Sequence, residues 1–451
     1  MRTIKLRKNK ILFLLFILSA LCSSILSEAY ALDVKREVLD NGLTLLVVER
    51  HNLPVVMVTL GIKAGSLVEP EEKSGLANLT AALLTEGTAS RTARQISEEI
   101  EFVGGSLGAS GGSDFITVHL SVLKKDLALG FELLSDIILN PAFPEDELKK
   151  KIKRIKGGLK ASEDDPGFVA SKAFIKEVFG SHPYGRLVQG SEKSLEMIKR
   201  DDLAAFHNAY YTPNNSMMSV VGDITPDEVK AFLEKHFYAW KSKSITLTSL
   251  PELTNAKKNT IIVDKELTQA NIILGHLGVS RSDPDYYAVS VMNYILGGGG
   301  FESRLMQNIR EEKGLAYDIS SFFNANKTGG SFEVSVQTKN ESANRAIEEI
   351  LKEIKKIQIE PVSDRELSDA KSFLTGSFPM RIETGARIAN FLVAVEYYGL
   401  GMNYVDEYPS YINGITKEDI LRVAKKYLDP EHYVLVIVAD EKKTALKDEF
   451  Q

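Results

Sequence analysis

The chain is 451 residues long, with 44% hydrophobic, 26% charged and 8% aromatic residues, 55 Lys and Arg against 61 Asp and Glu, and a formal net charge of −6. That length exceeds one ordinary core, and the composition is that of a globular protein, not a disordered or fibrous one. The single cysteine, Cys22, falls in a leader segment. The remainder of the chain therefore has no disulfide, no cysteine-ligated zinc or iron–sulfur site and no thiol nucleophile.

Residues 1–31 read as a secretory signal peptide. Arg2, Lys5, Arg7, Lys8 and Lys10 make a basic start, Ile11–Leu21 is an apolar run, and Ala29-Tyr30-Ala31 is a small-x-small cleavage site. The apolar run is shorter than the roughly 20 residues that span a bilayer, and no later stretch qualifies. Lipidation at Cys22 is the weaker alternative, because bulky Leu21 precedes it. The expected destination lies across the inner membrane, in a bacterial periplasm. Five of the 55 basic and one of the 61 acidic residues lie in the leader, which leaves 50 and 60 and a net charge of −10. That balance disfavours nucleic acid as a partner.

Beyond the leader, Thr44–Glu49 and Val55–Ile62 are apolar, β-branched runs on either side of Pro54, and each has the length of a strand. Thr92–Val103 reads as a helix that stops at Gly104-Gly105. Phe115–Leu123 reads as a further strand. In Glu147–Lys160, Leu148, Ile152, Ile155 and Leu159 fall on one helix face and seven Lys and Arg cover the rest. A solvated helix face is the expected reading, and a membrane- or acid-binding helix the alternative. Gly157-Gly158 inside that helix costs roughly 1 kcal/mol per glycine relative to alanine. Thr225-Pro226-Asp227-Glu228 is a capping box with proline at the first helical position. The glycine clusters at Gly104–Gly112 and Gly297–Gly300 lack the Lys-Ser/Thr of a phosphate loop and are expected to be turns and tight backbone approaches. None of the histidines (His51, His119, His182, His207, His236, His276, His432) lies four residues from another, so each is expected at the surface or with a structural partner.

An internal repeat organises the chain. Arg200–Asp223 runs without gaps beside Lys417–Asp440 at an offset of 217, matching Asp202 with Asp419, Tyr210 with Tyr427, Pro213 with Pro430 and Asp223 with Asp440. Both copies read as helix, proline turn, buried strand and acidic stop. Two homologous domains follow, 32–240 and 258–451, joined by the polar stretch Ser242–Lys258. Strand runs followed by helix runs favour an α+β class over a doubly wound sheet.

Several segments together resemble the pitrilysin/insulinase family of zinc peptidases, in its shorter, mitochondrial-processing-peptidase-like bacterial branch. They are Leu39–Arg50, Gly61–Asn78, Ser162–Pro166, His182–Leu195 and Leu296–Tyr317. The resemblance implies two α+β roll domains closing like a clamshell half-chamber around a peptide. It also implies a helix carrying His-x-x-Glu-His, whose two histidines, with a distant glutamate, bind zinc while the motif glutamate activates water. Three protein ligands leave one zinc position open for that water.

Here the motif falls on Asn78-Leu79-Thr80-Ala81-Ala82. Asn78 and Ala82 stand for the histidines, Ala81 for the base, and Gly158, just before Ser162-Glu-Asp-Asp-Pro166, for the distal ligand. No metal site and no catalysis by the chain alone are expected. Family members also carry, in the second half, an arginine and a tyrosine seven residues later that hydrogen-bond the substrate backbone; Arg310 and Tyr317 stand at that spacing. The alternative for the pair is an arginine complementing its helix C-terminus and a tyrosine packed in a strand. The resemblance thus implies a non-catalytic subunit of a secreted heterodimeric zinc metallopeptidase. Its zinc sits in a homologous partner, and Arg310 and Tyr317 bind the peptide. A structural scaffold and a stand-alone peptide-binding pseudopeptidase are the alternatives.

Overall fold

The β-branched runs form strands where their alternation places one face against a core. The computed structural model describes residues 32–246, 249–255 and 257–450; the leader expected over residues 1–31 lies outside the described residues. In the first half, β1 (Lys35–Val38), β2 (Thr44–Glu49), β3 (Val55–Ile62), β4 (Ser106–Ser110), β5 (Ile116–Leu123) and β6 (Ser216–Gly222) make a six-stranded sheet in the order β1-β2-β6-β3-β5-β4. In the second, β7 (Asn259–Asp264), β8 (Gln269–Gly278), β9 (Ala316–Ala325), β10 (Gly330–Lys339) and β11 (Val434–Ala439) make a five-stranded sheet in the order β7-β11-β8-β10-β9. Helices cover both sheets, and the class is α+β. Among the described residues no helix is long and apolar enough to cross a membrane.

The repeat recurs in the elements, with β1 alone among the strands lacking a counterpart in the second sheet. The Arg200–Tyr210 helix and β6 recur, 217 residues on, as the Lys417–Tyr427 helix and β11. β2 runs parallel to β6 as β7 runs parallel to β11, and β3 and β8 flank those strands antiparallel. A second pair of helices, Pro166–Phe179 and Gly385–Tyr398, repeats at an offset of 219, and each packs on the sheet of the other half.

The exchange has a matched pair of seats. Gly61 on β3 lies opposite Met217, and Gly275 on β8 lies opposite Val434, the repeat equivalent of Met217. A Cβ at Gly61 would stand 2.5 Å from Val393 Cγ1, and one at Gly275 would stand 2.9 Å from Phe174 Cζ. Phe174 and Val393 are themselves equivalent at the offset of 219. Gly61 thus gives up a side chain in mid-strand so that the other half's helix can approach, whereas at Gly275 the nearest obstacle is the Phe332 carbonyl oxygen of β10, 2.0 Å from that Cβ, ahead of the helix. Glu177 and Glu396, also equivalent, reach back to the opposite half: Asn259 donates to Glu177 at 2.8 Å, and Arg36 donates twice to Glu396 at 2.9 and 2.8 Å.

Asp114, in the β4–β5 turn, joins the halves at a buried hub. Its carboxylate accepts from the Tyr184 hydroxyl at 2.5 Å, the Tyr398 hydroxyl at 2.9 Å and the Lys327 backbone N–H, in the β9–β10 turn, at 3.2 Å. Burial together with the Asp114 charge pushes both tyrosine hydroxyls far up, so they remain protonated donors. Phe115, expected as the first residue of a strand, lies one residue before β5 and packs on Tyr397 at 4.9 Å between ring centroids.

Candidate functional site

The residues singled out from the sequence occupy two places. The first is the short Leu76–Ala82 helix. Gly75, with φ +99°, starts it, and the buried Glu69 carboxylate caps it by accepting from the Gly75 and Ala77 N–H groups, both at 2.9 Å. Burial pushes the Glu69 carboxyl up to about 7, against those two donors and the nearby Arg186. Leu76, Ala77, Leu79, Thr80 and Ala81 are buried, while Asn78 and Ala82, four residues apart on one face, are half-buried.

A zinc ion does not fit these residues. The β4–β5 turn packs closely on the helix at Asn78, where a Cβ at Gly111 would stand 2.6 Å from Asn78 Cα. An asparagine amide is a poor zinc ligand, and the methyl groups of Ala81 and Ala82 are no donors. Gly158 is exposed on the Glu145–Ser162 helix, with open space where its side chain would be. Among the described residues no group of three or more His, Cys, Asp or Glu side chains is placed to hold a metal.

That Glu145–Ser162 helix is solvated on its basic face. Lys149 and Lys150 pair with Glu145 and Glu147, while Lys151 and Lys156 reach Glu86 and Glu196. Leu148 is buried, and Ile152, Ile155 and Leu159 pack behind it on the first-half core. Most histidines are held structurally. His276 donates from Nδ1 to the Leu277 carbonyl and accepts at Nε2 from the Asp429 N–H, which fixes a neutral ring. His207 Nε2 lies 2.8 Å from the Ile138 carbonyl, and burial pushes the ring down to about 4. His236 stacks on Phe232, and its buried Nε2 has no hydrogen-bond partner among the described residues.

The second place is in the other half, where the structure brings Arg310 and Tyr317 together. Met306–Glu312 is a π-helical turn anchored by buried Met306 and Ile309. Gly314, at φ +59°, ends it, with its N–H donating to the Arg310 carbonyl at 3.0 Å and the Leu315 N–H to the Ile309 carbonyl at 2.9 Å. β9 then begins at Ala316, and Tyr317 is its second residue. The Arg310 guanidinium carbon lies 5.0 Å from the Tyr317 ring centroid. Tyr317 is 74% exposed, so it is not a packed strand residue.

A third side chain joins them that the sequence did not single out. The Phe301 ring centroid lies 4.8 Å from the same guanidinium carbon, and Phe301 is 61% exposed. No periodic pattern marks it, because it sits in a one-turn segment between two π-helical turns, Tyr294–Gly298 and Met306–Glu312. Such turns are rare and concentrate at functional sites.

Two family models match the chain, "Insulinase (Peptidase family M16)" over residues 45–191 and "Peptidase M16 inactive domain" over residues 197–374. The chain belongs to the M16 family. Within M16, it is 31% identical to an uncharacterized zinc protease of Mycobacterium leprae, over 68% of this chain and 69% of that protein. It is 26% identical to the non-peptidase homolog YmxG of Helicobacter pylori, over 88% and 91% of the two chains. The crystal structure of a peptidase M16 inactive domain from Pseudomonas fluorescens superimposes with a TM-score of 0.85 at 29% identity, covering 90% of this chain and 98% of that one. This chain is an inactive M16 homologue.

Proposed function

We propose that the protein is the non-catalytic subunit of a heterodimeric M16 zinc peptidase, exported to the periplasm by the leader at residues 1–31. A homologous subunit with an intact His-x-x-Glu-His helix holds the zinc. This chain supplies Arg310 and Tyr317, which donate hydrogen bonds to the peptide backbone beside the scissile carbonyl. The observation that carries the reading is the contrast between the two places. The zinc positions carry only Asn78, a poor ligand, with Ala81, Ala82 and Gly158, yet the Arg310 guanidinium carbon stands 5.0 Å from the Tyr317 ring centroid with the tyrosine exposed. A fixed cation and a phenol are the groups that stabilise an oxyanion as it forms. A scaffold has no use for them.

The test is co-expression with a zinc-motif homologue from the same genome, followed by sizing and a peptide digest. A stable 1:1 complex that cleaves peptide is expected. Loss of one oxyanion donor costs on the order of 10²–10³ in rate. Tyr317→Phe should therefore slow the reconstituted pair by that order without disturbing assembly, and Arg310→Lys should rescue Arg310→Ala poorly, because an ammonium lacks the planar fork. Separate elution at micromolar concentration would remove the heterodimer. Wild-type rates from both Tyr317→Phe and Arg310→Ala in an assembled pair would make the two residues structural and favour the scaffold.

A further inference from the structure

Arg310 is held by two aromatic rings, with one long ion pair to its sequence neighbour. Its nearest carboxylate oxygen, on the adjacent Glu311, is 3.5 Å from Nε, and among the described residues no other acidic side chain pairs with it. Instead the guanidinium lies within 4.8 and 5.0 Å of the Phe301 and Tyr317 ring centroids, and only 27% of the arginine side chain is exposed under two rings that are mostly in solvent. A carboxylate partner would occupy the N–H groups and neutralise the charge. An aromatic face attracts the cation through its quadrupole and leaves the in-plane N–H groups free for an incoming acceptor.

The chain preceding Phe301 is built to deliver it. The Tyr294–Gly298 turn presses on β9 so closely that a Cβ at Gly297 would stand 2.5 Å from Ser321 Oγ and 2.7 Å from the Ser321 backbone nitrogen. Asn293 locks this seat, donating to the Ser321 carbonyl at 3.0 Å and accepting from the Ser321 hydroxyl at 2.7 Å. The turn that leads to Phe301 is therefore fixed to the same strand that carries Tyr317.

We propose that Phe301 is a positioning residue of the substrate site: its ring holds the Arg310 guanidinium against Tyr317, so that the two donors are presented already assembled to peptide carbonyl oxygens. This rests on the reading of Arg310 and Tyr317 as substrate-binding groups. Without the ring, the arginine samples its side-chain rotamers and must be ordered again by each substrate.

Two measurements test the proposal. In the isolated chain, proton NMR of the Arg310 δ and ε positions reads the ring currents; Phe301→Leu, which keeps the bulk, should move these resonances toward their exposed-arginine values. In the reconstituted pair with a fluorogenic peptide, Phe301→Leu should lower kcat/KM about 2- to 5-fold, the change equivalent to a cation–π contact of about 0.5–1 kcal/mol at an exposed site. Phe301→Tyr should restore the rate, and Phe301→Leu should have no further effect in an Arg310→Ala background. Unmoved arginine resonances overturn the proposal. So does a Phe301→Leu rate equal to wild type while Arg310→Ala is slow, or an equal loss in both backgrounds. A wild-type rate from Arg310→Ala would sink the substrate reading instead, with the resonances still reporting on the stack by themselves.

Discussion

Gly61→Ala probes the exchange of helices between the halves most directly. The new methyl would lie 2.5 Å from Val393 Cγ1 and 2.9 Å from Met217 Cε, both fully buried. Carbon atoms pack at roughly 3.5–4.0 Å, so the helix or its side chains must retreat by about 1 Å. Overpacking of this kind costs about 1–3 kcal/mol. Val393→Ala removes the obstructing methyl and by itself loses about 2 kcal/mol in burial and cavity. If the two atoms oppose each other across the interface, the double variant loses less than the sum of the singles, with a coupling of about 1 kcal/mol or more. Urea unfolding followed by circular dichroism measures all four proteins. Additivity within about 0.5 kcal/mol would refute the seat, because residues that do not touch add. Gly275→Ala behaves differently. Its methyl would stand 2.0 Å from the Phe332 carbonyl oxygen, in the neighbouring strand, so trimming Phe174 does not rescue it.

Asp114→Asn sets an amide nitrogen against hydroxyl and N–H donors, and thermal unfolding should show a loss of about 2–4 kcal/mol, since hydrogen bonds to a charged group contribute about 1.5–3 kcal/mol each; Tyr398→Phe, which deletes one donor, should cost less than Asp114→Asn. Stability should also carry two opposed pH terms. Glu69, raised from 4.5 to about 7, binds more protons folded than unfolded, so its contribution is present below pH 4.5 and is lost as pH rises through about 7. His207, lowered from 6.5 to about 4, contributes above pH 6.5 and loses that contribution as pH falls through about 4. Glu69→Gln removes the first term, so its stability relative to wild type should rise by on the order of 3 kcal/mol between pH 4.5 and 7.5; an offset independent of pH in urea titrations would place the carboxyl at its ordinary value. Metal analysis after dialysis should find no stoichiometric zinc on the chain, and one tightly held zinc per chain would overturn the reading of Asn78, Ala82 and Gly158.

The sequence by itself determined the elements and the loss of chemistry. Thr44–Glu49 and Val55–Ile62 are strands at the residues expected, and Thr92 caps the helix it begins, because alternation and capping are written in neighbouring residues. The repeat at 217 is legible in the residues themselves, while the reading of Asn78, Ala81, Ala82 and Gly158 as zinc positions and of Arg310 and Tyr317 as a substrate pair came from the family resemblance. β1 and β4 were not legible, since Lys35–Val38 is exposed throughout and Ser106–Ser110 is a small-residue edge strand without alternation. Tertiary structure alone decided three things. It seated each half's helix on the other's sheet, with Gly61 clearing the way for Val393, gathered Tyr184, Tyr398 and Lys327 around Asp114, and laid Phe301 on Arg310. The physical reason is common to all three. A glycine, an aspartate or a phenylalanine looks locally like a turn, a surface charge or a core residue, and what it does is set by a side chain brought to it in three dimensions, from the other half of the chain for Gly61 and Asp114 and across an irregular turn for Phe301.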